Sequence, residues 1–267
     1  MTSSECKYKE GEMYEVTFES APRMIATCTD IIPLTIPEEG WVCSFEEKGT
    51  HYQFDVWVSA GRGTEWMKRQ FDESGIPVLY AGQGMGAFKW DLYKADTAKI
   101  ERIVDTWITG IELMMLEGKG LYIYSNTRGS GKTKLACCIA YEAIHEKYSV
   151  LFLSAADFSE QVREKDNPFQ KWLDIDILIY DDLGAGGEDK DWPSRELYRL
   201  VDTRTRKEKP IIWTSNLPID KVKTDTRTLD RIYASSYQIP LPEESIRRKL
   251  ADENNAEILR RVYGNDG

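Results

Sequence analysis

The stretch from Leu121 to Ala136, LYIYSNTRGSGKTKLA, constrains the fold of this 267-residue chain more than any other. Four largely apolar residues precede a short loop with glycines at positions 129 and 131, and the apolar run LACCIAYEAI follows. A buried strand that turns through a glycine-rich loop into a buried helix opens a βα unit, because the helix must pack back onto the sheet. The chain is therefore expected to contain a sheet covered by helices.

The end of this loop, GSGKT, matches the end of the phosphate-loop pattern G-x-x-x-x-G-K-[ST]. In such a loop, backbone N–H groups and the start of the following helix bind phosphate. We expect Lys132 to contact the β and γ phosphates of ATP, and the Thr133 hydroxyl to bind Mg²⁺. The other candidate nucleotide-binding residues lie in the same loop and the first helical turn: Asn126, Arg128, Gly129, Ser130, Gly131 and Lys134.

The first glycine of the pattern is replaced by Asn126. That position often requires a positive φ, and asparagine is among the best non-glycine residues for it. An alternative alignment places Ser125 at the turn, with one more residue in the loop. Because both alignments keep GSGKT unchanged, we expect a working nucleotide site and not a damaged one.

Beyond the loop, apolar strands alternate with helical patterns in an order typical of βαβ units. The expected elements are a strand at 121–124, a helix at 132–146, a strand at 150–154, a helix from 156, a strand at 177–180, a helix at 193–207 and a strand at 211–214. One helix, from Thr97 to Met115, is expected before the first of these strands. This order predicts an α/β fold with a parallel sheet flanked by helices, followed from Thr226 by a small helical cap with one short strand.

Polar residues follow two of these predicted strands. Asp181 and Asp182 come after the apolar run DILIY, and Asn216 follows IIWTS. The carboxyl ends of parallel strands form the ligand-binding edge of such sheets. We expect Asp181 to hold Mg²⁺ through water, Asp182 to orient or deprotonate the attacking water, and Asn216 to contact the γ-phosphate or that water.

Two arginines near the end of the chain complete the set of candidate catalytic residues. Arg231 lies on a predicted helix, where it could act as an arginine finger toward the ATP of a neighbouring subunit. Arg247 begins the last helical stretch and could fold over the nucleotide of its own subunit.

The first ninety residues have a different pattern, with short alternating strands that predict a small β-containing module. The expected domains are therefore a partner-binding module at 1–90 and an ATPase domain at 91–267. The module carries 14 acidic against 8 basic residues, which favours a protein partner over DNA. Its Cys6, Cys28, Cys43 and His51 are irregularly spaced, which favours separate core cysteines over a zinc site.

Bulk properties exclude two classes of protein. The net charge of −10 argues against a protein that mainly wraps duplex DNA, because such binding depends on neutralising phosphates. No apolar run approaches the ~20 residues that span a bilayer, and the N-terminus is too acidic for a signal peptide. We expect a cytoplasmic protein that does not bind membranes.

Together, the segments SGIPVLYAG, GLYIYSNTRGSGKTKLACCIA, DIDILIYDDLGA, KPIIWTSNLP, RTLDRI and SIRRK resemble the DnaC/DnaI family of AAA+ replicative helicase loaders and their IstB-like relatives. The resemblance covers roughly residues 74–249. It implies an AAA+ P-loop ATPase that oligomerises with ATP, grips single-stranded DNA and holds the replicative helicase through its N-terminal domain. By position, Asn216 resembles sensor I, Arg231 the arginine finger and Arg247 sensor II. The paired C-x-x-C of many loaders is missing.

The same resemblance places a DNA-contacting helix at AADFSEQVREKDNPFQKW. There Phe158 offers a stacking surface and Arg163 and Lys165 offer positive charge, although a core phenylalanine and a solvated charged face are the alternative. The expected function is ATP-dependent loading of the replicative helicase, with low ATPase activity in the absence of oligomer or partner. The alternatives are an IstB-like transposition helper, an ATP-binding switch with negligible hydrolysis, and a small-molecule kinase.

Overall fold

The computed structural model describes residues 10–16, 24–34, 40–47, 53–59, 62–184 and 193–251. The chain divides into two compact units, residues 1–69 and 70–267. Helix α1 (Arg62–Glu73) includes the point of division. The functional division at residue 90 stays a prediction.

The first unit contains a four-stranded antiparallel sheet in the order β1-β2-β3-β4. Its strands are β1 (Met13–Val16), β2 (Met24–Leu34), β3 (Gly40–Glu47) and β4 (Gln53–Ser59). Cys28 and Cys43 are both buried in it, on the neighbouring strands β2 and β3. Within the described residues no cluster of three or more potential metal ligands occurs, and Cys6 and His51 lie outside them. Cys28 and Cys43 are therefore core residues, and the choice between separate core cysteines and a zinc site stays a prediction.

The second unit is built on a five-stranded parallel sheet in the order β6-β7-β8-β5-β9. Its strands are β5 (Gly120–Tyr124), β6 (Val150–Ser154), β7 (Ile177–Leu183), β8 (Ile211–Ser215) and β9 (Ser236–Pro240). The helices are α2 (Ala98–Thr109), α3 (Ile111–Leu116), α4 (Lys132–His145), α5 (Ala155–Gln161), α6 (Phe169–Asp174), α7 (Ser194–Arg206) and α8 (Thr226–Ala234). The prediction of a parallel sheet flanked by helices is confirmed.

Side chains from alternate strand positions pack on opposite faces of this sheet. Tyr122, Tyr180 and Trp213 join the cluster that α5, α6, α7 and α8 cover. Their neighbours Ile179 and Ile212 are equally buried but lie outside that cluster, and α4 contacts these strands with α2 packed beside it. The sheet is thus enclosed by helices on both faces, which is why its strands are apolar at nearly every position.

A fully buried arginine fixes the start of two strands that lead to the site. The Arg204 guanidinium donates hydrogen bonds to the carbonyl oxygens of Trp172, Ile175, Asp176 and Pro210, at 2.7 to 3.0 Å. Burial lowers its pKa to about 9, although the charges of Asp176 and Asp174 oppose the shift. These bonds join the residues just before β7 and β8.

Two details differ from the sequence-based expectation. The single helix expected from Thr97 to Met115 is divided at Gly110 into α2 and α3, because Gly110 leaves the helical conformation with φ of −101° and ψ of 24°. The short strand expected in the C-terminal cap is present as β9, but it joins the main sheet beside β5. Among the described residues, no helix is both long and apolar enough to cross a membrane.

Candidate nucleotide-binding site

The loop between β5 and α4 takes its shape from two glycines in the left-handed region. Gly129 has a φ of 77° and Gly131 a φ of 96°. A Cβ at Gly131 would lie 2.8 Å from the Tyr93 hydroxyl, and one at Gly129 would lie 2.9 Å from Cβ of Arg247. Both positions therefore exclude a side chain on conformational and on steric grounds.

Asn126 does not have the positive φ expected of it, since Lys147, Asp182 and Glu208 are the non-glycine residues with positive φ in the described part of the chain. That prediction is wrong. Instead, the backbone N–H and the side-chain amide of Asn126 both donate to Glu243 Oε1, each at 2.9 Å. A partner far along the chain, and not a left-handed backbone, holds this end of the loop.

Lys132 is buried against the loop itself. Its Nζ donates to the carbonyl oxygens of Ser125 and Thr127, at 3.1 and 3.0 Å, and to Ser130 Oγ at 3.3 Å. Burial lowers the pKa of Lys132, and the nearby carboxylates, Asp182 first, oppose that shift. The ammonium group is thus placed among the loop carbonyls, where it counters their partial negative charge.

Asp181 joins the loop to the neighbouring strands through one carboxylate oxygen. Thr133 Oγ1 donates to Asp181 Oδ1 at 2.9 Å, and Thr214 Oγ1 donates to the same oxygen at 2.6 Å. Burial raises the pKa of Asp181, and these two hydrogen bonds oppose the rise. The two residues expected to bind Mg²⁺, Thr133 and Asp181, are therefore in direct contact.

The pair also fits Mg²⁺ chemically. Mg²⁺ prefers oxygen ligands and is usually bound by one or two carboxylates together with substrate phosphates and water. A carboxylate and a hydroxyl directly below a phosphate-loop backbone provide such a partial set, with room for further oxygen ligands.

Asp182 lies within β7 in the left-handed conformation, which few non-glycine residues adopt, with a φ of 62°. The pairing of β7 with β8 is irregular at this point, and the Asp182 N–H donates to Thr214 Oγ1 at 2.8 Å. Asn216 Nδ2 donates to Asp182 Oδ1 at 2.7 Å. The structure thus brings together the predicted water-activating residue and the predicted sensor, at a position with backbone strain of the kind found at functional sites.

A segment after β9, residues 241–247, runs along the loop, and we call it the C-terminal strap. The Leu241 N–H donates to the Tyr124 carbonyl at 2.8 Å, and the Arg247 N–H donates to the Gly129 carbonyl at 3.1 Å. Arg247, a predicted catalytic residue, is thereby positioned beside the glycine loop. Sequence reasoning missed the role of this strap, because its partners lie more than 100 residues away.

A cavity of about 710 Å³ opens above the loop. It is lined by predicted residues from the loop, β7 and β8 and by residues that the sequence did not indicate. The predicted lining residues are Arg128, Gly129, Ser130, Gly131, Lys132, Thr133, Lys134, Asp181, Asp182, Asn216 and Arg247. The other lining residues include the apolar Leu79, Ile246 and Leu250, together with Tyr80 and Gln83. A volume of this size, lined by a phosphate loop and by apolar side chains, suits a nucleotide.

Tyr93 is a second residue that the sequence did not indicate. Its hydroxyl donates to the Ser130 carbonyl, and its ring packs with Phe88 and Trp90. Burial, together with the negative charge of Glu244, raises the pKa of Tyr93, so it stays a hydrogen-bond donor at neutral pH. It supports the loop from below.

Arg231 lies apart from this cavity, on α8. Its guanidinium forms an ion pair with Asp202 at 2.9 Å and lies over the Tyr198 ring, 5.0 Å from its centroid. Its role as an arginine finger toward a neighbouring subunit stays a prediction.

Phe158, proposed for base stacking, is fully buried. It packs against Trp172 and Tyr180 in the core below α5, so the stacking prediction is wrong and the alternative, a core phenylalanine, is right. Arg163 and Lys165 are exposed on the turn that follows α5. Contact of this basic pair with DNA stays a prediction.

A parallel sheet in this strand order, with a phosphate loop after β5, two aspartates near the carboxyl end of β7 and an asparagine after β8, defines a P-loop nucleotide-binding domain of the AAA+ class. The family model of IstB-like ATP binding proteins matches residues 111–254, more than half of the chain. The chain belongs to this family of ATP-binding proteins.

Relatives and solved structures agree with this assignment. The ATP-binding protein of insertion sequence IS1162 from Pseudomonas fluorescens is 32% identical over 96 residues, which are 34% of this chain and 41% of that protein. The chain thus matches less than half the length of this curated relative. The structure of DnaI has a TM-score of 0.55 with 20% identity and covers 66% of this chain and 98% of its own. That of the DnaC helicase loader has a TM-score of 0.54 with 18% identity and covers 62% of this chain and 100% of its own.

Proposed function

We propose that the protein is an Mg²⁺-dependent ATPase that assembles with ATP and loads a replicative helicase onto single-stranded DNA. The observation that carries the ATPase proposal is the continuous hydrogen-bonded series from Thr133 through Asp181 and Thr214 to Asp182 and Asn216. It connects the phosphate loop to the groups that would activate water. A glycine-rich surface turn whose lysine had no role in nucleotide binding would not require such a series of hydrogen bonds.

Each residue in the series has a distinct role in this proposal. Lys132 and the loop N–H groups bind phosphate oxygens, while Thr133 and Asp181 hold Mg²⁺. The metal, when bound, neutralises charge that develops on the transferred phosphoryl group. Asp182 orients the attacking water and accepts its proton, and Asn216 fixes the Asp182 carboxylate through the 2.7 Å hydrogen bond.

The proposed partner rests on comparison. The DnaI and DnaC structures share the fold over nearly their whole length, and the second of them is called a helicase loader. We propose that the acidic N-terminal module binds the helicase, that Arg163 and Lys165 contact single-stranded DNA, and that the isolated cytoplasmic protein hydrolyses ATP slowly until it is assembled.

A second candidate is a transposition helper. The family model and the insertion-sequence relative both favour it. In that case the same ATPase domain would assemble on duplex DNA, and the N-terminal module would bind a transposase.

The two candidates are separated by the mass of the complex in light scattering after size exclusion. The protein is mixed with ATP and either the replicative helicase of its host or duplex DNA. A stable, nucleotide-dependent complex with the helicase supports the loader. Self-association on duplex DNA with no helicase complex would overturn the loader proposal in favour of the helper.

The arginine finger has its own test, for which the chain offers a matched control. Arg231→Ala should lower the ATPase rate of the assembled protein roughly a thousandfold, the scale of such residues, with unchanged ATP binding. The control is Arg227→Ala, one turn earlier on the same helix and over the same Tyr198 ring. An assembled Arg231→Ala protein with a normal turnover rate would contradict the assignment.

A further inference from the structure

Glu243 is exposed, yet it makes three hydrogen bonds with the start of the phosphate loop. Besides the two bonds from Asn126, Thr127 Oγ1 donates to Glu243 Oε2 at 2.8 Å. Burial opposes ionisation of this carboxyl group, but the bonds from Asn126 and Thr127 outweigh it and hold the pKa of Glu243 below its ordinary value. Glu243 is thus an ionised acceptor at neutral pH, shared by two consecutive loop residues.

These bonds are the centre of a longer contact between the loop and the C-terminal strap. Ser125 Oγ donates to the Pro242 carbonyl at 3.2 Å, and the Arg247 N–H donates to the Gly129 carbonyl at the far end of the contact. Residues 124–129 and 241–247 therefore run side by side with bonds at both ends and in the middle. A displacement of the loop at Asn126 must move the strap that carries Arg247.

We propose that Glu243 is a positioning residue, which couples the first half of the phosphate loop to Arg247 and so sets how well the site distinguishes ATP from ADP. The inference rests on the proposed ATPase function. In the standard pattern a glycine shapes this turn by itself. Here Glu243, on the strap, shapes the turn through its hydrogen bonds. The shape of the loop and the position of Arg247 therefore change together.

ATP and ADP are distinguished because the loop and Arg247 contact different phosphate groups of the nucleotide. The loop from Gly129 to Thr133 presents the N–H groups that any nucleoside diphosphate would contact, and Glu243 does not touch that part. Arg247 is a cation at the cavity wall, and in the proposed site it approaches the γ-phosphate. Loss of the strap bonds should therefore weaken ATP binding while ADP binding is kept.

The test measures the affinities of fluorescent ATP and ADP analogues, with Mg²⁺, for the full chain. Glu243→Ala should reduce the ATP-over-ADP preference about tenfold, the effect of losing one charge-assisted contact, with ADP affinity within about twofold of the original. Glu243→Gln keeps an acceptor for Asn126 and should recover most of the preference. Arg247→Ala should match Glu243→Ala, and the double variant should be no worse than either single one.

Two further variants keep the inference open to contradiction. Thr127→Val removes one of the three bonds without altering Glu243 and should give a partial loss, which serves if Glu243→Ala does not fold. Glu244→Ala is the matched control, since Glu244 accepts from the N–H groups of Lys94 and Ala95 and not from the loop.

The results separate this inference from the proposed function. If Glu243→Ala binds both nucleotides as the original chain does, or loses both equally, the coupling is overturned. An equal change of preference in Glu244→Ala would also overturn it, because the strap as a whole would then position Arg247. If the unaltered chain binds no nucleotide analogue, the proposed ATPase function itself fails.

Discussion

The two halves of the phosphate loop are held in place by different means. From Gly129 to Thr133, two left-handed glycines and the first turn of α4 determine the backbone conformation, and Tyr93 and Arg247 add one hydrogen bond each. Asn126 and Thr127, where the standard glycine is absent, are hydrogen-bonded to Glu243, which lies 117 residues after Asn126. The comparison shows that a distant residue can hold a loop at the position where the loop departs from its sequence pattern.

The largest expected effect is in the locally determined half. Lys132→Ala should weaken binding of a fluorescent ATP analogue roughly a hundredfold, because charge-assisted bonds to phosphate would be lost. Lys134→Ala, two residues later on the same helix and exposed to the same cavity, should have a much smaller effect. Comparable losses in the two variants would show that charge around the loop, and not the fixed Lys132 position, determines affinity.

An intermediate effect is expected for substitution of Asp181, the residue of β7 that Thr133 of the phosphate loop contacts. The raised pKa of Asp181 means that its ionised form is disfavoured in the folded state. Ionisation of Asp181 therefore destabilises the fold. This destabilisation is absent below the pKa that Asp181 has in the unfolded chain and complete above the pKa that it has in the folded chain. Asp181→Asn keeps an acceptor for Thr133 and Thr214 and should raise Tm by about 2–4 °C at neutral pH, with no gain near pH 4. It should abolish Mg²⁺-dependent hydrolysis.

The control for this measurement has the opposite sign. Burial also opposes ionisation of Asp176, but bonds from Lys209 and Ser149 outweigh it and lower its pKa. Its ionised form therefore stabilises the fold above the unfolded pKa, and that stability is lost as pH falls. Asp176→Asn should lower Tm at neutral pH, so a rise in both variants would refute the electrostatic explanation.

The smallest expected effect is in the half that departs from the pattern. Asn126→Gly restores the standard glycine, yet φ is not positive there, so there is no backbone strain for glycine to relieve. The backbone N–H bond to Glu243 remains, and we expect ATP affinity to change less than about twofold with a loss of about 0.5–1 kcal/mol in stability. A marked gain in affinity would mean that Asn126 impairs the loop.

The sequence was sufficient for features that neighbouring residues determine. Apolar strands followed by polar residues gave the correct positions of Asp181, Asp182 and Asn216, because the carboxyl ends of parallel strands meet at one edge. Glu243 and Tyr93 were not recognised, since their partners lie 117 and 37 residues away and no local pattern marks them. The stacking role of Phe158 was wrong because an aromatic residue near charged residues has the same local pattern whether it is exposed or in the core.

The place of β5 in the sheet has a consequence for how the chain is made. Among the described strands of its unit it is the first to be synthesised, but its neighbours β8 and β9 are the last two, and Gly120 pairs with Ser236. At ordinary translation rates the gap between them takes on the order of ten seconds. Until then the phosphate loop has neither a paired strand beneath it nor a strap beside it. A nascent chain thus acquires its nucleotide site only after β9 and the strap have been synthesised, so that ATP can stabilise only molecules whose sheet is already complete.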